Sequence, residues 1–160
     1  KFGDANLEAL LASCLENIDR LTSGRLDWTP APKDEDNFVL THAGTGWVMV
    51  KSDYPIFETL YKQGYNRVVA YQVLPDRSIA YTVAKKSELV SGFPVGPQSK
   101  AGTILHALNE REPGWGGSST IGGAPRNADG SRSRLTPDEV FGLIGTVLDR
   151  QTPPIVEVTK

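Results

Sequence analysis

Residues 113–130 read Pro-Gly-Trp-Gly-Gly-Ser-Ser-Thr-Ile-Gly-Gly-Ala-Pro-Arg-Asn-Ala-Asp-Gly, the least ordinary stretch of the 160-residue chain. Six of the 16 glycines fall there, Gly114, Gly116, Gly117, Gly122, Gly123 and Gly130, which marks the stretch as a place of close backbone approach. Without a Cβ the chain reaches positive φ and lies near a ligand, and successive free N–H groups form an anion nest. The hydroxyls of Ser118, Ser119 and Thr120 and the guanidinium of Arg126 add donors that match phosphate oxygens. A flexible surface loop is the plain alternative, but a linker has no use for Trp115, Ile121 and Pro125 between its glycines. Arg126, Arg132 and Arg134 against Asp129 make a small basic rim, and Lys85 or Lys86, at the end of a strand pattern, can join the same face.

Familiar catalytic arrangements do not fit. Gly44-Thr45-Gly46 lacks the third glycine of a dinucleotide fingerprint and runs into a strand pattern instead of opening a helix. No Walker sequence occurs, Ser118 and Ser119 lie outside any Gly-x-Ser-x-Gly, and neither His42 nor His106 is spaced to act as a base. His106 reads as a partly buried polar residue of a helix. His42 reads as a loop residue beside the Gly44/Gly46 turn, with substrate contact as its alternative. Cys14 and two histidines cannot build a zinc cluster, and the acidic run Asp34, Glu35 and Asp36 is a solvated segment whose adjacent side chains do not converge on one ion.

The elements that must hold the glycine-rich stretch are written around it. Residues 37–40 and 45–50 have strand character, and Pro55 then opens a short helix with Ile56, Phe57, Leu60 and Tyr61 on one face, closed by Gly64. Residues 67–74 and 78–84 are β-type runs joined through Pro75-Asp76-Arg77, a hairpin turn. A helix over 102–112 turns Ile104, Leu105 and Leu108 inward. A last helix begins at Thr136, where Thr136 and Glu139 spell a capping box and Leu135 with Val140 a hydrophobic staple. A strand-helix-strand crossover combined with a tight hairpin predicts an α/β domain with a mixed sheet of about four or five strands, helices packed on it and the glycine-rich loop at one end. The domain is expected over 37–150. Before it stand an amphipathic helix in 1–28, with Leu7, Leu10, Leu11, Cys14, Leu15, Ile18 and Leu21 as its seam, and a Pro- and charge-rich linker at 29–36. Residues 151–160 form a tail that is frayed or adds an edge strand.

Composition sets limits on partners. With 39% hydrophobic residues the chain can build a core, and Lys+Arg 17 against Asp+Glu 19 leaves a net charge of −2, so a polyanion must be held by a local patch. No apolar run approaches the roughly 20 residues of a membrane span, and no signal peptide opens the chain. One cysteine fits a reducing, cytoplasmic setting. Because the first residue is Lys1, a piece of a longer polypeptide is expected.

Over residues 38–125 the order strand, helix, strand, strand, helix and glycine loop resembles the DHH-associated domain, the C-terminal, substrate-binding half of DHH-family phosphoesterases. That family's loop has the form GGGGHPNAAG. Gly116-Gly117 is similar to its glycine run and Gly122-Gly123 to its second small-residue segment, whereas Ser118 stands in place of the histidine and Ser119-Thr120-Ile121 replace the following residues. The family's histidine contact therefore does not carry over, and Arg126 is the candidate substitute. The resemblance implies a domain that grips a phosphorylated small molecule or short oligonucleotide for a phosphohydrolase whose Mn or Mg ions sit on an upstream Asp-His-His domain. No Asp-His-His occurs here, so the chain alone is expected to be inactive. A non-catalytic RNA- or nucleotide-binding module, or a dimerisation domain using the seam of the first helix to form a homodimer, are the alternatives.

Overall fold

The structure, a computed structural model, describes residues 38–151. The helix expected within 1–28, the linker and residues 152–160 of the tail lie outside the described residues. In chain order the elements are β1 (Phe38–Gly44), β2 (Trp47–Ser52), α1 (Phe57–Lys62), β3 (Arg67–Val73), β4 (Ile79–Lys85), α2 (Ile104–Arg111), β5 (Gly116–Gly117), β6 (Ile121–Gly123) and α3 (Pro137–Asp149). The strands form one sheet in the order β1-β2-β3-β4-β6-β5. Every neighbouring pair is antiparallel except β2 and β3, which run parallel with Val48 opposite Val68. A parallel neighbour requires a crossover, and α1 supplies it. The expected mixed α/β class is the observed one. Its sheet has six strands because the glycine-rich stretch itself contributes β5 and β6.

Alternation along the strands divides the core in two. Trp47, Met49, Val69, Tyr71, Tyr81 and Val83 pack on one face against Ile104, Leu105 and Leu108 of α2 and Val140, Ile144 and Val147 of α3. Their neighbours Val48, Val50 and Val68 face the other way, against Ile56 and Leu60. Local signals end the helices where the sequence places them. Gly64 adopts φ +96° after α1, and Thr136 and Glu139 close a reciprocal capping box at the start of α3, with Leu135 and Val140 both buried. In the β3–β4 turn Arg77 takes φ 66°, and the Asp76 carboxylate accepts from the Ser78 amide at 3.0 Å and its hydroxyl at 2.7 Å.

His42 departs from the loop position expected of it. It belongs to β1, opposite Met49 and just past a bulge, because the Thr45-Gly46 turn is tight enough for the β1–β2 ladder to run to Gly44. Its Nε2 lies 2.8 Å from Asp138 Oδ1, and its ring stacks on Phe141 with centroids 4.9 Å apart. This ties the sheet edge to the first turn of α3. His106 is half-buried on α2, with Nδ1 2.8 Å from the Gln98 carbonyl.

Candidate anion-binding site

The glycine-rich stretch folds as a short hairpin that extends the sheet. Gly122 pairs with Val83 and Gly123 with Thr82 on one side of β6, while Gly117 and Gly116 pair with them on the other. Its amides are consequently engaged. Ser118 N–H donates to the Ile121 carbonyl at 2.7 Å, Thr120 and Ile121 N–H to Ser118 Oγ at 3.3 Å, Ala124 N–H to Tyr81 O at 3.1 Å and Gly114 N–H to Asn109 Oδ1 at 2.8 Å. A nest of successive free amides does not form, because backbone donors beside a sheet edge find ladder partners first.

Two adjacent glycines show what the missing side chains achieve. Gly122 faces α2, where a Cβ would fall 2.3 Å from Leu105 Cδ1 and 3.0 Å from the Gly116 carbonyl. Gly123 alternates to the opposite face, beside Thr82, where a Cβ would meet only the Tyr81 carbonyl at 3.2 Å. Gly122 thus lets a helix close on the sheet, and Gly123 leaves a shallow floor. Above that floor lies a cleft of about 500 Å³ bordered by Gly114, Gly116, Ile121, Thr82, Arg126 and Arg132.

The cleft therefore unites Gly116, Gly122, Gly123 and Arg126 with Arg132 from the basic rim. The other expected contacts lie elsewhere. Gly117 is in the hairpin ladder, and Ser118 Oγ serves the β5–β6 turn. The Ser119 hydroxyl donates to Glu88, holding that carboxylate below its ordinary range, and Lys85 Nζ lies 3.3 Å from the other oxygen. Ser119, Lys85 and Glu88 border a separate cavity of about 350 Å³ at the start of α2. The first amides of that helix are already taken, Ile104 N–H by Pro94 O and Leu105 N–H by Val95 O, both at 2.8 Å. Thr120 N–H is spent on Ser118, Lys86 is exposed, and Arg134 uses its amide to bond Glu112 Oε1 at 2.7 Å. Trp115 is not a ligand contact. It is fully buried, its ring 5.6 Å from that of Tyr81 and its Nε1 donating to Glu112 at 3.0 Å.

The two arginines stand on a segment fastened to the start of β4. Ile79 and Ser133 exchange backbone hydrogen bonds of 2.8 and 3.1 Å, and Arg132 N–H donates to Ser78 Oγ at 3.0 Å. Asp129 accepts from the Ser131 amide and hydroxyl at 2.9 and 2.6 Å, and Glu112 accepts from Ser133 Oγ at 2.5 Å. Among the described residues, neither Arg126 nor Arg132 has a carboxylate within ion-pair distance. Arg132 Nε is buried with no hydrogen-bond partner, and burial, followed by the charge of Arg126, pulls the guanidinium below its ordinary range. Two cations that repel each other beside an open, glycine-floored cleft form an arrangement that an anion stabilises.

Thr82 lines the cleft with Tyr81 and Ala124, and no chemical motif marks these three in the sequence. For Thr82, alternation with Tyr81 and Val83 was the available signal, since it places Thr82 on the face opposite the large core residues. Among the described residues no group of three His, Cys, Asp or Glu side chains is placed to hold a metal ion, and no helix is long and apolar enough to cross a membrane. Comparison with protein-family models, with curated proteins and with solved structures finds no match for this chain.

Proposed function

We propose that this domain binds a phosphorylated ligand, a nucleotide or short nucleic acid, as the substrate-gripping part of a phosphohydrolase, with a phosphate group held between Arg126 and Arg132. The observation that carries this reading is the pair of arginines without a counterion, one with a buried, unpartnered Nε. Two guanidiniums held side by side without a carboxylate repel each other, and an anion bound between them in the cleft would offset that repulsion. The Gly123 floor lets the ligand approach the backbone closely, and guanidinium forks match phosphate oxygens in pairs. The similarity of Gly116-Gly117 and Gly122-Gly123 to the DHH-associated glycine segments supports the same assignment. In such a phosphohydrolase, Mn or Mg would be held by the catalytic domain and would supply an activated water there. On this reading the part of the residues described here is binding and orientation.

The test is isothermal titration of the full chain with adenosine 5′-monophosphate and with adenosine. The nucleotide should bind and the nucleoside should not, and affinity should fall as salt rises. Arg126→Ala and Arg132→Gln should each weaken binding by about 1–3 kcal/mol. Equal binding of nucleotide and nucleoside, or unchanged affinity in both variants, overturns the assignment. The chain alone should not hydrolyse an oligonucleotide in Mn²⁺ or Mg²⁺, and metal-dependent turnover would refute the division of labour.

A further inference from the structure

A second cleft, which shares no residue with that of Arg126 and Arg132, opens where three connections meet at one end of the sheet. These are the turn between β1 and β2, the link from α1 into β3, and the 86–92 loop that follows β4. The cleft measures about 630 Å³, with Gly46, Trp47, Tyr65, Arg67, Leu89 and Ser91 on its border. From the first residue of β3 the Arg67 guanidinium reaches across to the loop, where Nη2 donates to the Ser91 carbonyl at 2.6 Å. Glycines make room for it. A Cβ on Gly46 would fall 2.8 Å from Nη1 and one on Gly92 3.4 Å from Nη2, and both glycines take positive φ. The loop is fastened at two further points, by Lys86 N–H to the Asn66 carbonyl at 2.9 Å and by Lys85 Nζ to the Val90 carbonyl at 3.4 Å. Guanidinium and loop therefore hold each other in place.

We infer that this cleft is a separate binding site for an organic acid, a carboxylate joined to a small apolar group. Charge calls for an anion. The bond to Ser91 engages one N–H of Arg67 and leaves the rest of its donors unused, no carboxylate of the described residues lies within ion-pair distance of it, and no Asp or Glu borders the cleft. Further donors stand around the same space. Trp47 Nε1, which lies against Gly44, the Tyr65 hydroxyl and the Asn66 side-chain amide make no hydrogen bond among the described residues. The apolar part of the ligand is called for by Leu89, which the fastened loop holds 94% exposed, with Val48 and Val90 bordering the same cleft. Covering such a side chain is favourable, whereas leaving it in water gains nothing. One guanidinium beside apolar walls matches the single charge and organic body of a carboxylate. A phosphate has no apolar part to lay on Leu89, and its second charge finds no second cation among the residues that border this cleft. Because Ser91 already fixes the guanidinium, binding orders little that is not ordered beforehand.

The experiment follows the amide signals of Gly46, Arg67 and Ser91 by NMR of the isotopically labelled full chain during titration with isocaproate. All three should move saturably. Isocaproamide, which lacks the charge, acetate, which lacks the apolar group, and inorganic phosphate should each act on them at least about tenfold more weakly. Leu89→Ala should weaken isocaproate about fivefold and leave acetate unchanged. Because Leu89 is exposed, its truncation opens no core cavity. Arg67→Gln should abolish the preference for the acid over its amide. N-acetylleucine offers the same carboxylate and apolar group on a peptide-like end, so tighter binding of it than of isocaproate supports the site with a peptide C-terminus as its ligand, and weaker binding supports it with a free acid. No saturable shift with isocaproate, equal affinity for isocaproate and isocaproamide, tighter binding of phosphate, or an isocaproate affinity unaltered in Leu89→Ala overturns the assignment. None of these four results requires the Arg67 variant to fold.

Discussion

The two faces of the sheet are made by the same strands, yet they are built to opposite ends. On the closed face β2, β3 and β4 present Trp47, Met49, Val69, Tyr71, Tyr81 and Val83, and two helices seal them from water. On the other face side-chain size falls from Val48, Val50 and Val68, which pack with Ala70 against α1, to Ala80 and Thr82 and then to Gly123, where among the described residues the cover of α1 ends. Large residues with cover give stability through burial. Small residues without cover give a surface on which a ligand can lie against the backbone. One alternating sequence thus carries a core on one face and the surface proposed to bind on the other, and substitutions at neighbouring positions should separate the two.

The largest effect is expected on the closed face. Trp115→Ala removes a buried ring packed on Tyr81 and strips Glu112 of a donor, so unfolding in urea should show a loss of about 3–5 kcal/mol. Thr82→Ala, on the open face of a neighbouring strand, should stay within about 0.5 kcal/mol. Comparable losses in the two variants would mean that the faces do not differ in the way their burial indicates.

Gly122 and Gly123 test the same contrast within one strand. Gly122→Ala drives a methyl group toward fully buried Leu105, and overpacking of this kind costs about 1–3 kcal/mol. Gly123→Ala needs only a small adjustment at the Tyr81 carbonyl, and its stability cost should stay below about 1 kcal/mol. Ligand binding should follow the reverse order, with Gly123→Ala weakening adenosine 5′-monophosphate more than Gly122→Ala does when both proteins are folded. If the affinity order matches the stability order, the floor assigned to Gly123 is wrong.

These glycines also mark where the sequence ceased to be legible. The capping box at Thr136 and the alternation in β2, β3 and β4 are local, so they could be read without tertiary information. The hairpin of β5 and β6 could not, because a strand of glycines has no side chains to show a period of two, and its register exists only through pairing with Thr82, Val83 and Ala84. Arg126 could be singled out by residue type. The proximity of Arg132 depends on the bridge between Ile79 and Ser133, a contact between distant parts of the chain. Ser119 offers the same donor chemistry but lies outside the cleft, since its hydroxyl finds the Glu88 carboxylate.

The smallest effect concerns the rim between the faces and appears in acid. Hydrogen bonds from the Ser78 hydroxyl to Asp76, from the Ser131 hydroxyl to Asp129 and from the Thr136 amide to Glu139 favour the ionised carboxylates and hold all three below their ordinary range. A carboxylate whose folded pKa is lowered contributes stability that is complete above its unfolded value, near pH 4, and is lost as the pH falls through the folded value. The melting temperature should therefore be flat from about pH 7 to pH 5 on this account and decline below about pH 4. Burial of apolar groups on either face has no such dependence. Asp76 and Asp129 brace Ser78 and Ser131, which flank Arg132, so acid should loosen the cleft rim before it loosens the core. Amide exchange measured at decreasing pH, corrected for intrinsic exchange rates, should show protection at Ser78 and Ser131 lost before that at Val69 and Val83. The paired substitution Asp76→Asn with Asp129→Asn keeps an acceptor oxygen in each turn but removes the titration, and it should shrink the decline in melting temperature below pH 4. An acid profile identical to that of the unsubstituted protein would place the pH sensitivity outside these turns.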